Sequence, residues 1–408
     1  MIAPSLAKDA APMVPLRIGL VTPAWPGTNT ANGIATAVAQ IAMGLEACGH
    51  EVTIITHAVD GPSDHPRVVT LPPHRMSLAE KLLMRFDPAV AINRTVARRL
   101  VVAVHEASRL HGVEVVVMEE TQGWAGAVSK RIRIPLVVTL HGPWWVHKAL
   151  QGPGHEKASA RREAREAAGL RLADGITAPS LDTLERTRAA WGLPDVPATV
   201  IPNPVLPPAE AVVLDAARIM RILFVGRFDL IKGGDVVINA FALIAQQHAS
   251  CRLTFAGPDN GVLLPDGRRV TLAETLARLP DELRARIDVC GKQSREEVAA
   301  HRLNHGISIV ASRYETFGGT LVEAMAAGSA VVCTRVGGCQ ENITDGETGL
   351  LVPPEDPKAL ADACLRLLHD TDLAQRLGKA ARAHVGAVLS PKTVATQLAA
   401  FLTPICRR

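Results

Sequence analysis

Two carboxylates, Glu315 and Glu323, stand eight positions apart around the run Phe317-Gly318-Gly319-Thr320. Glu323 opens an apolar-periodic stretch with Ala326 and Ala327, which predicts a helix whose first turn is Gly318, Gly319 and Thr320. The free backbone N–H groups of such a turn, at the positive end of the helix dipole, suit a phosphate. Carboxylates repel phosphate, so the two glutamates would address hydroxyls carried by the same ligand. A nucleotide sugar, with phosphates in the middle and hydroxyls on both sides, meets that description.

A cationic partner lies upstream, in Arg221-Ile-Leu-Phe-Val-Gly226-Arg227-Phe-Asp-Leu-Ile-Lys232-Gly233-Gly234. The apolar run 222–225 reads as a buried parallel strand that Gly226 ends. Arg227 and Lys232 then fall in the following loop, at the carboxyl edge of a sheet, where open α/β folds bind ligands. A forked guanidinium with a point-charge ammonium suits a diphosphate, although two cations in a solvated loop would read the same way. Gly-Lys-Ser/Thr in P-loop order is missing, which disfavours ATPase chemistry.

At these residues the chain resembles the retaining glycosyltransferases of family 4, which have the two-domain GT-B fold. The resemblance spans nearly the whole chain. It rests on Gly226-Arg227-x4-Lys232-Gly233, on Glu315 with Glu323, and on Gly337-Gly338-x2-Glu341 followed by Gly346-x2-Thr348-Gly349-Leu350-Leu351-Val352. Gly33 before a helix ending Ala47-Cys48-Gly49-His50-Glu51-Val52 completes the set. The resemblance implies that Arg227 and Lys232 neutralise the donor pyrophosphate, that Glu323 holds the ribose hydroxyls and that Glu315 contacts the sugar ring. Phe317, Gly318, Gly319 and Thr320 would lay backbone against phosphate and sugar. His141 would face the donor sugar near the reacting centre, and Gly33 would lie near the phosphates and the acceptor. The first loop departs from the family's Gly-Gly, carrying Asn32 before Gly33, and the interdomain Pro-Asn-Gly is Pro202-Asn203-Pro204. The first departure bears on acceptor geometry and the second on the hinge.

The elements expected to position these residues form two α/β halves. Strands are expected at 17–21, 51–56, 113–118, 136–140, 175–178 and 198–201, with a helix at 34–48. The prolines from Pro202 to Pro208 mark a linker. Strands at 219–225, 252–256, 287–290, 307–310 and 330–334 follow, separated by helices such as 235–248 and 295–303, and helices at 356–369, 373–385 and 393–402 end the chain. Alternation of this kind implies parallel sheets with right-handed crossovers. By resemblance, residues 1–203 form an acceptor-binding Rossmann-like domain, 204–389 a nucleotide-sugar-binding one facing it across a cleft, and 390–408 a helix packing back on the first. Neither half carries Gly-x-Gly-x-x-Gly after its first strand, so a dinucleotide redox fold is not supported.

Composition fits a two-domain enzyme. With 408 residues, 48% of them hydrophobic, and a net charge of +4, the chain is long for one core and neither disordered nor strongly basic. A single tyrosine argues against stacking platforms for single-stranded nucleic acid, and no nucleic-acid partner is expected. Seven scattered cysteines without Cys-x2-Cys, some within apolar strands such as Cys290 and Cys333, read as buried reduced thiols of a cytoplasmic protein. The first fifteen residues lack the apolar core of a signal peptide, and no apolar run approaches the roughly 20 residues that span a bilayer.

Other features have ordinary readings. Asp370-Thr371-Asp372 matches the Asp-x-Asp of metal-dependent sugar transferases but falls between helices, where Asp and Thr cap. No other cluster has ligand spacing, so no metal and no cofactor is expected. Gly291 and Lys292 follow a strand end where they could line a nucleobase pocket. Trp144 and Trp145 either line an acceptor cleft or pack under a loop. The region 78–110 is helical, with Leu82, Leu83, Phe86 and Val90 among Lys81, Arg85, Arg94, Arg98 and Arg99. Its favoured reading is a helix packed on its own sheet with a solvated basic face, and its second is peripheral contact with anionic lipid at the inner face of a membrane.

The expected activity is therefore retaining, metal-independent transfer of a hexosyl unit from a nucleotide diphosphate sugar, UDP-linked before GDP-linked. The acceptor would be a hydroxyl of a small molecule, saccharide or glycolipid. The rivals are a sugar-nucleotide epimerase or disaccharide phosphorylase on the same scaffold, and a non-catalytic nucleotide-sugar-binding protein.

Overall fold

The computed structural model describes residues 14–26, 32–59, 61, 63–74 and 76–407. The sequence reading of residues 1–13 lies outside them. Two parallel sheets organise the chain. The first contains β1 (Arg17–Thr22), β2 (Glu51–Thr56), β3 (Val68–Thr70), β4 (Val115–Glu119), β5 (Leu136–Thr139), β6 (Gly175–Ala178) and β7 (Ala198–Val200), in the order β3-β2-β1-β4-β5-β6-β7. The second half supplies β8 (Arg221–Val225), β9 (Phe228–Asp229), β10 (Arg252–Ala256), β11 (Asp259–Leu263), β12 (Arg269–Val270), β13 (Ile287–Gly291), β14 (Ile307–Val310), β15 (Ala330–Thr334) and β16 (Leu350–Val352). Six of these form a sheet in the order β13-β10-β8-β14-β15-β16, and β12-β11-β9 form a small separate one.

These strands form where apolar runs can be buried on both faces by helices: every residue of β4 and β15 is buried. The strand order reverses between β1 and β4 in the first sheet and between β8 and β14 in the second. The crevice outside the carboxyl ends of such strands is where an α/β sheet takes its ligand. The loops after β1, β4 and β5 and those after β8 and β14 therefore hold the candidate site residues.

The last helix, Pro391–Cys406, leaves the second domain and packs on the first. Its Val394, Ala395, Leu398, Ala399, Leu402 and Ile405 share a core with Ile18, Leu20, Ile41 and Leu45. Close approach to the Gly33–Ala47 helix depends on Gly44, where an added Cβ would lie 2.1 Å from the Pro391 carbonyl oxygen. The stretch Thr371–Cys406 is long and apolar enough by composition to cross a membrane. It is instead two helices, since the Ser390 side chain accepts the Thr393 N–H and starts the second one.

Two expectations need correction. Residues 78–110 are not one helix packed on the sheet. Asp87 ends Leu78–Phe86 and caps Pro88–His111, and only the second helix buries an apolar face, with Ala91, Ala97, Leu100 and Val104. Of the cysteines, Cys290 is only half-buried, because β13 is an edge strand. All seven are free, and Cys333 is buried as expected.

Candidate active site

The loop after β8 turns back on itself through Asp229. Its buried carboxylate accepts the Nε–H of Arg227 at 2.6 Å with one oxygen, and the backbone N–H groups of Ile231 and Lys232 at 3.0 and 2.9 Å with the other. Gly233 then takes φ +67°, and a Cβ there would lie 2.0 Å from the Ala311 carbonyl oxygen. Only glycine lets this loop close against the loop after β14. That closure sets Lys232 Nζ 2.5 Å from Glu315 Oε1, which also accepts the Ser312 hydroxyl at 2.7 Å. Gly318, at φ +87°, precedes the Gly319–Ala327 helix, whose N-terminus faces the same space.

Across that space, β4 ends in two buried acids, Glu119 and Glu120. The Glu120 oxygens accept the N–H groups of His141 at 3.0 Å and Gly142 at 2.8 Å, which fixes the loop after β5. The Asn32 side chain caps the Gly33–Ala47 helix by accepting the N–H of Ile34 at 2.9 Å. A cleft of about 460 Å³ results, lined by both domains. Gly33, Thr36, Gln40, His141, His147 and Arg162 lie on one wall, and Arg227, Glu315, Phe317, Gly318, Gly319 and Glu323 on the other.

Two family models match the chain in succession: Glycosyltransferase Family 4 over residues 31–207 and Glycosyl transferases group 1 over 220–384. The chain belongs to glycosyltransferase family 4. A D-inositol 3-phosphate glycosyltransferase of Acidothermus cellulolyticus is 29% identical, covering 93% of this chain and 88% of the relative. The solved sucrose-phosphate synthase of Thermosynechococcus elongatus superposes with a TM-score of 0.72 at 26% identity, covering 96% of this chain and 99% of its own. The Anabaena HepE complex with UDP-glucose shares the fold, with a TM-score of 0.65 at 20% identity over 95% of this chain and all of the other. The architecture is therefore GT-B, and the enzyme is a glycosyltransferase that uses a nucleotide sugar.

The two domains of this glycosyltransferase are in contact beside the cleft. Thr316 Oγ1 donates to the His141 carbonyl at 2.8 Å, and Ser180 Oγ donates to the Thr316 carbonyl at 2.7 Å. The Tyr314 hydroxyl donates to Asp182 at 2.7 Å. Glu341 caps the Leu181–Trp191 helix from the other domain, accepting the N–H groups of Leu181 and Asp182 at 2.8 and 2.9 Å. Farther along the boundary, Arg295 donates to the Thr36 hydroxyl and Arg269 to the Leu150 carbonyl.

Not every sequence-derived site residue faces the cleft. Gly226 and Lys232 stand behind its wall, Lys232 reaching it through Glu315. Thr320 turns into a separate small recess with Arg302. Gly291 and Lys292 end the edge strand β13 and are not among the described residues lining the cleft. A strand-end position alone does not decide which way its loop turns. Trp144 and Trp145 are packing groups: the Arg162 guanidinium lies 3.8 Å over the Trp144 ring, and Trp145 donates to Thr187 and meets Tyr314 edge-on. Asp370 is a helix cap, accepting the Leu373 N–H at 2.8 Å. Asn203, read from sequence as hinge only, lines the cleft.

Several residues in or beside the cleft are not singled out by the sequence. Arg302 donates to Glu323 Oε2 at 2.5 Å, so the half-exposed Glu323 is tethered by a buried cation. His147 lines the cleft next to Gly142, and burial together with Arg227, Arg162 and Lys232 lowers its pKa against the opposing pull of Glu315. Glu119 and Glu120 did leave a signal, as charged residues ending the apolar run Val115–Met118. Burial, then the neighbouring Glu120, pushes Glu119 up to about 8. Burial, then Glu166, pushes Glu120 up to about 7 against the two N–H donors from the His141 loop. Desolvation lowers His141 to about 4, so its ring is neutral near pH 7.

Proposed function

We propose that this enzyme is a retaining, metal-independent hexosyltransferase that takes a nucleotide diphosphate sugar, UDP-linked first, and glycosylates an acceptor hydroxyl. The observation that carries this reading is the convergence of Arg227, the Lys232–Glu315 pair, the Gly319–Ala327 helix N-terminus and Glu323 on one side of the cleft, with His141 opposite. Asp229 engages only the Nε–H of Arg227, leaving the paired terminal nitrogens for a diphosphate. The ammonium of Lys232 likewise keeps donors beyond the one given to Glu315.

These cations and the helix N-terminus offset the charge that develops on the departing diphosphate. With that charge met by side chains and backbone, and Asp370 engaged as a cap, the donor site needs no divalent ion. Glu315 orients the sugar and supports positive charge at its anomeric carbon. His141, neutral and held through its backbone by Glu120, faces the sugar as a hydrogen-bonding group. Attack from the leaving-group face, with the departing phosphate taking the acceptor's proton, retains the anomeric configuration. Contacts across the domain boundary limit water entry and hence hydrolysis. The choice of UDP follows the family resemblance, and the acceptor is a small molecule, saccharide or glycolipid.

The test incubates the enzyme with UDP- and GDP-hexoses, with and without candidate acceptors, inorganic phosphate and a chelator. Nucleotide release that depends on acceptor and survives chelation, giving an α-linked product from an α-linked donor by NMR, supports the proposal. Donor conversion without acceptor would mark an epimerase, a phosphate requirement would mark a phosphorylase, and an inverted product would reject retention.

A further inference from the structure

The Leu78–Phe86 helix is turned inside out. Surface helices normally bury their apolar stripe and expose their charges. Here Leu78, Leu82 and Phe86 are 85%, 59% and 76% exposed, while Glu80 is 3% exposed. Positions i, i+4 and i+8 share one face, so the three apolar side chains form a continuous ridge.

The orientation is pinned. One Glu80 oxygen accepts the backbone N–H and hydroxyl of Ser77, each at 2.9 Å, and faces His74 Nε2 at 3.0 Å. Its other oxygen accepts Arg98 Nη1 at 2.7 Å. Rolling the helix to hide the ridge would break this set and leave Arg98 without its acid. Exposure of the ridge is thus imposed by the polar contacts of the buried Glu80 on the opposite face.

Around the ridge lie exposed cations. Lys81 and Arg85 flank it on the same helix, and Arg94 and Arg98 face it from the next, across a groove of about 270 Å³ lined also by Leu82, Leu83 and Phe86. Ile92 adds exposed apolar surface beside them. The two acids of the described stretch 76–100 are already engaged: Glu80 as above, and Asp87 with the Val90 N–H and Arg161. The patch is therefore apolar at its crest and positive at its rim.

We propose that this ridge docks the enzyme on an anionic lipid bilayer, with Leu78, Leu82 and Phe86 entering the headgroup–acyl boundary and Lys81, Arg85 and Arg94 meeting lipid phosphates. Charge complementarity selects this occupant. A second copy placed symmetrically on the ridge would bring the same cations together, with no unengaged acid there to receive them. The docking face also adjoins the first domain's side of the cleft. Asn93, on the helix after the ridge, accepts the Trp124 indole N–H at 2.8 Å, just past the Thr121–Gly123 turn that contributes Thr121 to the lining. An acceptor carried in the lipid surface would enter from that side. The docking itself does not depend on the proposed donor chemistry.

Vesicle co-sedimentation tests this with phosphatidylcholine alone and with phosphatidylcholine carrying a minor fraction of phosphatidylglycerol. The full-length chain is expected to partition about tenfold better onto the anionic vesicles, with the preference falling as salt rises. Leu82→Ser with Phe86→Ser, and separately Lys81→Glu with Arg85→Glu, should each lose most of that binding while keeping the wild-type melting temperature and turnover of soluble substrates. Absence of binding to the anionic vesicles, or unchanged binding by either variant, overturns the proposal. So does a wild-type dimer in analytical ultracentrifugation that Leu82→Ser with Phe86→Ser converts to monomer, since that assigns the ridge to a second copy.

Discussion

Glu341 of the second domain accepts the backbone N–H groups of Leu181 and Asp182, so a carboxylate of one domain caps a helix of the other. The contact places a negative charge at the positive end of the Leu181–Trp191 helix, where it is stabilising. It lies beside the Tyr314–Asp182 and Thr316–His141 bonds, and together these join the two domains beside the cleft. Replacing Glu341 by Ala removes the cap without touching the cleft lining. We expect a several-fold rise in donor KM, more hydrolysis relative to transfer, and a larger radius of gyration by small-angle scattering. Unchanged scattering with unchanged KM would reject a closing role.

In the proposed donor site, Arg302 positions Glu323. It is largely buried and its partner is half-exposed, so Arg302→Met frees the Glu323 side chain rather than stranding a charge in the core. Hydrogen bonds to charged groups contribute about 1.5–3 kcal/mol, which sets the expected loss at about tenfold or more in donor affinity, with kcat less affected. Isothermal titration with the nucleoside diphosphate and with the full donor separates a base-and-ribose effect from a sugar effect. A fall in kcat at constant KM would contradict the positioning role.

The buried acid Glu119 should leave a mark on stability against pH. Its pKa is raised from 4.5 to about 8, so the folded chain keeps a proton that the unfolded chain has released. Stability from this group therefore falls as pH climbs through that window. His141, lowered from 6.5 to about 4, contributes with the opposite slope between those values. The difference between wild type and Glu119→Gln isolates the acid. We expect the wild-type melting temperature to drop relative to the variant from about pH 5 to pH 8, and parallel profiles would refute the assignment.

The parts of this molecule legible in its sequence are those where local chemistry and tertiary role coincide. Strands such as β10, β14 and β15 are predominantly apolar and almost wholly buried, and their bounds can be read directly. Arg227, Lys232, Glu315 and Glu323 are recognisable because their spacing around glycines is itself the structural device. Pairings between distant positions were not legible. Nothing local links Arg302 to Glu323 or Glu341 to Leu181, since those contacts exist only once helices and domains are docked. The β9-β11-β12 sheet is short and polar, with no periodicity to announce it. On Leu78–Phe86 the spacing reveals a stripe but not which side faces out. Glu80's partners, Arg98 and His74, decide that.

Gly44 and Gly386 offer opposed tests of how the last helix is seated. Both lie inside helices, where glycine is less favourable than alanine by roughly 0.5–1 kcal/mol. At Gly386 an added Cβ meets nothing within 4 Å, so Gly386→Ala should stabilise by about that amount. At Gly44 the same methyl would lie 2.1 Å from the Pro391 carbonyl oxygen and 2.9 Å from the Ala395 Cβ. Neither neighbour can yield without lifting Pro391–Cys406 off the first domain, so the helix-propensity gain is outweighed by overpacking of about 1–3 kcal/mol. Chemical denaturation should move the two midpoints in opposite directions. The Gly44→Ala protein should in addition exchange the amides of 391–406 faster, because the penalty is local to that seat. Equal stabilisation by both substitutions would mean that the last helix does not pack here as closely as Gly44 requires.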